Sequence, residues 1–91
     1  MKNKEKECIS LGRIYQNELN EFINTHIFLK NNIMSIVEKI LLSLSSDERN
    51  IIYYEFMEPK ETDWWKGYFE DKYFYSTKSK AIDAFLRCLY N

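Results

Sequence analysis

Glycine occurs only twice in the 91 residues (Gly12 and Gly67) and proline only once (Pro59). A sheet protein of this length needs more turn residues, since hairpin turns draw on Gly, Asn and Pro for their dihedrals, whereas helices joined by short polar links need few. The same scarcity excludes a glycine-rich loop able to cradle a phosphate. One histidine (His26) and two cysteines near opposite ends (Cys8 and Cys88) give neither a zinc-ligand spacing nor a disulfide framework. No metal or cofactor is expected, and the thiols are expected reduced and partly buried in a reducing compartment. His26 has no nucleophile or acid placed beside it in sequence, and on an apolar stripe it reads as a satisfied core or interface residue rather than a ligand. The neighbouring acids Glu55 and Glu58, and Glu61 and Asp63, have a spacing common on any surface. An enzyme is therefore not expected.

Long apolar runs are missing too. The stretch Ile33–Leu44 is broken by Ser35, Glu38 and Lys39, too short and too charged to span a bilayer. The charged start, Met1 to Glu7, has no signal-type apolar run behind it. No membrane partner is expected, and the cytoplasm is the expected location. Excess charge of one sign is also absent: 13 bases against 14 acids give a net charge of −1. Global electrostatics thus supply no argument for nucleic acid, but Lys72 to Lys80 holds three lysines and no acid.

What is abundant is ring and aliphatic surface: 45% of residues are hydrophobic and 16% aromatic. Each ring buries a large apolar area at low rotamer cost, which lets a chain this short build a core. Leu11, Tyr15, Leu19, Phe22 and Ile23 recur at steps of three and four from Cys8 onward, continued by His26, Ile27 and Leu29, and predict an amphipathic helix. A second such run covers Ile33, Ile36, Val37, Ile40, Leu41 and Leu44. A break near Asn31-Asn32 and one uninterrupted helix over about residues 5–43 are the two readings of this half. Ser45 followed three residues later by Glu48 is a capping box, and it opens a helix that Pro59 closes. Thr62 is the expected cap of a short aromatic helix carrying Trp64, Trp65, Tyr68 and Phe69. Adjacent tryptophans cannot share a helix face, so one is expected in the core and one exposed as an anchor for a partner. The last helix runs from about Asp71 to Leu89, with Phe74, Ala81, Phe85 and Cys88 on its inner face and the Lys78 amine snorkelled outward. One of Tyr73 and Tyr75 is expected to pack.

The string Leu44-Ser45-Ser46-Asp47-Glu48-Arg49-Asn50-Ile51-Ile52, then Trp65, Tyr68 to Tyr75, Lys80-Ala81-Ile82 and Phe85, resembles the helix-turn-helix of sigma-factor region 4. It looks closest to the ArpU-like phage transcriptional regulators. The resemblance covers a little over half the chain and implies a supporting helix, a tight turn and a long reading helix that enters a major groove. In that setting Lys66, Lys72, Tyr73, Ser76, Lys78, Ser79 and Lys80 are the expected DNA-contacting residues, with lysines and hydroxyls on phosphates more than on bases. Glu70 and Asp71 depart from the pattern by putting two acids at the start of the reading helix. The last helix also has no Arg before Arg87 and no Asn or Gln before Asn91, so the common bidentate base contacts are absent.

The sequence thus predicts an all-α fold of four to five helices in a single domain. Residues 1–43 form a long N-terminal helical arm, and residues 44–91 form the helix-turn-helix part. The expected function is a small transcription-associated DNA-binding regulator, with double-stranded DNA as partner and a homodimer formed through the N-terminal helices. The alternative is a protein-interaction module docking on RNA polymerase or another regulator without touching DNA. A third reading is a purely structural, self-associating helical protein.

Overall fold

A computed structural model describes residues 2–26 and 32–90. Four α-helices, α1 (Lys2–Thr25), α2 (Ile33–Ser43), α3 (Ser46–Ile52) and α4 (Asp71–Tyr90), form an all-α fold, with no strand among the described residues. A π-helical turn, Tyr53–Met57, extends α3, and one 3-10 turn, Trp64–Gly67, precedes α4.

The uninterrupted helix over residues 5–43 does not form. α1 ends at Thr25, where His26 turns left-handed (φ 60) and donates its backbone N–H to the Phe22 carbonyl at 2.7 Å. That conformation usually falls to Gly or Asn at a helix end. His26 is therefore an exposed cap and not a core residue. Ile27, Leu29 and Asn31 lie outside the described residues, but Asn32 is the N-cap of α2 and accepts the Ser35 amide. Side chains from neighbouring helices complete both ends of α2. Glu18 of α1 accepts the Ile33 and Met34 amides at 3.2 and 2.6 Å. Arg49 donates to the Leu41 and Leu44 carbonyls at 2.9 and 3.1 Å. A carboxylate at the amino end and a guanidinium at the carboxyl end both oppose the helix dipole.

The capping box at Ser45 is present in both halves: Ser45 accepts the Glu48 amide and Glu48 accepts the Ser45 amide. Replacing Ser45 by Ala should cost about 1 kcal/mol, read as a lower urea midpoint at unchanged slope.

The helix expected to run unbroken to Pro59 changes geometry at Tyr53, where the Glu58 amide closes on the Tyr53 carbonyl at 2.8 Å, five residues back. The Phe56 carbonyl points at α1. It accepts a hydrogen bond from Gln16 at 3.0 Å and sits where Gly12 has no side chain. A Cβ on Gly12 would lie 2.1 Å from that oxygen, so glycine is required for the approach of α1 to the π turn.

One core joins the four α-helices and the π turn. Cys8 and Tyr15 of α1, Val37 and Leu41 of α2, Ile52 of α3, Met57 of the π turn and Ala81, Phe85 and Leu86 of α4 belong to it, and Leu11, Leu19 and Phe22 pack on its edge. Cys8, Leu11, Tyr15, Leu19 and Phe22 of the N-terminal stripe thus pack on the chain's own helices, while Ile23 is left 57% exposed. α1 leaves Ile9, Ile14 and Ile23 exposed; Ile9 and Ile23 lie about 40° apart round the helix, and Ile14 stands about 140° from Ile9. A smaller second cluster stacks Trp65 on Phe74, with centroids 4.1 Å apart and planes 7° from parallel, over Ile51.

Burial gives the core a pH signature. Burial, with the nearby Glu7 and Glu5 charges, pushes the Cys8 thiol up to about 12. Burial, with the Glu58 carboxylate, takes Tyr53 to about 12 and, with Tyr53 and Glu38, raises Tyr15. These groups keep their protons when folded and release them at lower pH when unfolded, so the unfolded chain binds fewer protons and stability falls as pH rises. Stability should be fully present up to about pH 8.5 and decline progressively towards pH 12, seen as a falling urea midpoint.

Candidate nucleic-acid interface

α4 has the division of faces that a reading helix needs. Phe74, Ala81 and Phe85 are 1%, 0% and 0% exposed, and Ile82 and Leu86 widen the buried side. On the opposite side Lys72, Ser76, Ser79 and Lys80 are all exposed. Lys72 and Lys80 are separated by eight residues, about 12 Å along the axis, with both serines between them. Neither lysine makes a hydrogen bond or ion pair among the described residues. The N-terminal helix does not cover them. It crosses α4 further along, where Lys4 meets Asp83 at 2.7 Å and Tyr90 donates to Glu7.

Tyr73 extends this face along one flank. Its hydroxyl donates to Asp47 of α3 and its ring lies on Phe69 at 5.8 Å. The hydrogen bond to Asp47 raises the Tyr73 phenol above its usual range. Both tyrosines pack at one side, Tyr73 on Phe69 and Tyr75 edge-on to Trp65, yet they stay 49% and 60% exposed.

Two of the seven expected DNA-contacting residues do not join the face. Lys66 is bound locally, 3.6 Å from Asp63 and with its ammonium 5.9 Å from the Trp65 ring centre. Lys78 does not snorkel outward. Four residues past Phe74 it stands only about 40° round the helix, within the buried side. Its ammonium lies 2.8 Å from Glu55 and 3.2 Å from Glu5, with the Phe56 ring beneath at 5.7 Å. Burial would lower its pKa, but the hydrogen bonds and charges of Glu55 and Glu5 outweigh that and raise it. Glu55 also accepts the Trp64 indole N–H at 2.8 Å. Lys78 is therefore a tie between α1, the π turn and α4, and its charge is already neutralised.

The element before the turn also differs from expectation. The short helix over Trp64 to Phe69 is a single 3-10 turn, with Asp63 and not Thr62 at its start and no side-chain cap. Trp65 is the core ring, while Trp64 is half-buried rather than a free anchor. Tyr68, 79% exposed, is the ring that stands out from this segment. Cys88 is exposed rather than on the inner face.

Between α3 and the segment before α4 lies a groove of about 380 Å³, walled by Tyr54, Trp64, Tyr68 and Phe69 and edged by Asp47, Asn50 and Lys60. Lys60 holds its ammonium 4.2 Å over the Tyr54 ring. Sequence reading missed this groove because its walls come from three segments with no shared period. Among the described residues no three acid, histidine or cysteine side chains gather to hold a metal, and no helix is long and apolar enough to cross a membrane. Set against known protein families, curated proteins and solved structures, the chain finds no match in any of the three.

Proposed function

We propose that this chain is a small transcription-associated, non-enzymatic protein that lays the outer face of α4 on duplex DNA. The observation that carries this is the free face itself: Lys72, Ser76, Ser79 and Lys80 are exposed together on a helix whose opposite side is wedged into the core. A rigid helix with its ammonium and hydroxyl groups turned out makes phosphate contacts without rearrangement. The resemblance to sigma region 4 agrees with this use of the last helix, with five of the seven expected residues (Lys72, Tyr73, Ser76, Ser79 and Lys80) grouped.

The same face sets the strength of binding. Two ionic phosphate contacts, from Lys72 and Lys80, give a slope of log affinity against log salt of about −2, so raising salt from 50 to 200 mM should weaken binding about 10-fold. Glu70 and Asp71 beside the face keep the interaction weak, and sequence selectivity is low without Arg, Asn or Gln on it. Reversing both charges, Lys72→Glu with Lys80→Glu, should abolish duplex binding in a low-salt fluorescence titration and leave the thermal midpoint within about 3 °C, because neither side chain is part of the packing. Duplex binding unchanged in this double variant would refute the proposal.

A second reading, docking on RNA polymerase or another regulator, draws on Leu42, which is 76% exposed beside a shallow apolar groove of Leu41, Arg49 and Tyr53. Under that reading Leu42→Asp abolishes partner binding and the α4 charge reversal does not.

A further inference from the structure

The aromatic groove has a composition that the α4 face lacks. Rings bound much of it, its polar edge carries an amide (Asn50) and an ammonium (Lys60), and it is open to solvent on one side. Its volume, about 380 Å³, is at the lower end of the range for small-ligand sites. The groove also continues the α4 face. Phe69 forms one wall, stacks on Tyr73, and Tyr73 is fixed by Asp47 at the groove's edge.

Three ligand chemistries fit an aromatic groove: a cation, an apolar side chain, or a flat heteroaromatic ring. The cation position is already taken, since Lys60 occupies the face of Tyr54, and a second cation there would meet its charge. An apolar side chain would use the rings but draw nothing from Asn50 and Lys60, which stand exposed at the edge. A nucleobase uses every part: its π-face stacks on the rings, its edge meets the Asn50 amide, and its phosphate meets Lys60. Asp47 is the one group at the edge with the wrong sign for phosphate, and Tyr73 already donates to one of its oxygens.

We infer that the groove between α3 and the 3-10 turn binds an unpaired nucleotide, the base against Tyr68 and Trp64 and the phosphate at Lys60. This rests on the nucleic-acid reading of α4 and adds a second substrate to it: a single-stranded or unstacked stretch adjoining the duplex. Tyr68 is the selective probe because, at 79% exposed, its removal leaves the core intact.

The full-length chain is titrated at low salt with three DNA probes: a blunt duplex, the same duplex with a short single-stranded dA tail, and the tail alone. AMP and tetramethylammonium serve as competitors, and the Trp64 indole N–H resonance is followed. The tailed duplex should bind about tenfold tighter than the blunt one, shift the Trp64 resonance, and lose that gain in Tyr68→Ala and in Lys60→Ala. AMP at millimolar concentration should compete for the tail and tetramethylammonium should not; competition by AMP equal to that of the tail would identify the mononucleotide itself as the ligand. A tailed duplex that binds no better than the blunt one overturns the groove site and leaves the α4 reading standing. Binding of the tail but not of the blunt duplex overturns the α4 reading and keeps the groove. No binding of any probe overturns both. Displacement by tetramethylammonium, or a tail affinity unchanged in Tyr68→Ala, overturns the nucleotide assignment.

Discussion

Gly12→Ala should destabilise the protein by about 2 to 4 kcal/mol, a fall in thermal midpoint on the order of 10–20 °C. Intrinsic helix propensity predicts the opposite sign, because Ala in a helix interior is favoured over Gly by about 1 kcal/mol. The contact decides. A methyl group at Gly12 would lie 2.1 Å from the Phe56 carbonyl oxygen and 2.8 Å from its carbon, and both are backbone atoms with no rotamer to retreat to. Moving α1 away would also stretch the 3.0 Å hydrogen bond from Gln16 to the same oxygen, leaving a carbonyl that the π turn does not satisfy internally. Thermal unfolding of the single variant checks this; a midpoint equal to or above the parent's would show that α1 and the π turn do not meet as described.

Glu55→Ala should cost about 2 to 3 kcal/mol. Breaking a well-buried ion pair from one side costs about 3 to 5 kcal/mol, and the Lys78–Glu55 pair, with side chains 17% and 18% exposed, is discounted from that for the solvent it still sees. The loss has two sources: the Lys78 ammonium keeps only Glu5, whose side chain is 46% exposed, and the Trp64 indole N–H loses its acceptor. Glu55→Gln, which keeps an acceptor for Trp64 but drops the charge, should cost less. Lys78→Met combined with Glu55→Gln should cost less than Glu55→Ala alone, because no unpaired charge is left in the interior. Urea unfolding of the parent, Glu55→Gln, Lys78→Met and the double variant closes the cycle that measures the coupling. If Glu55→Ala proves neutral, the tie does not hold the elements together.

These two positions also show where sequence reasoning stops. The capping box at Ser45 and the buried side of α4 were legible because both are local: a capping box spans four residues and an amphipathic face is a period. Lys78 was misplaced because period alone cannot show that carboxylates from α1 and the π turn meet it on the inner side. With those partners absent from view, a lysine on an apolar face reads as snorkelling. Gly12 was legible only as a count, since the carbonyl that requires it lies 44 positions further on. The N-terminal stripe was seen correctly as apolar, but whether it meets the chain's own core or a second copy is a tertiary fact. His26 went astray for a similar reason: its place on the stripe suggested burial, while its backbone ends the helix there.

The residues proposed for binding divide along the same line. Lys72, Ser76, Ser79 and Lys80 were readable as an outward face because α4 is long and strongly patterned. Tyr68, Asn50 and Lys60 were not, because the groove they share is assembled from three segments.

Amide chemical-shift mapping shows whether the outer face of α4 meets nucleic acid. A labelled full-length chain titrated with a short duplex at 20–50 mM salt should show its largest shifts at Lys72, Tyr73, Ser76, Ser79 and Lys80, fading as salt is raised through a few hundred millimolar. Residues 9–23 of α1 and the Lys78 amide should move little. Shifts centred on Leu42 and Tyr53 with the α4 face silent, or no shifts at the lowest salt, would contradict the account.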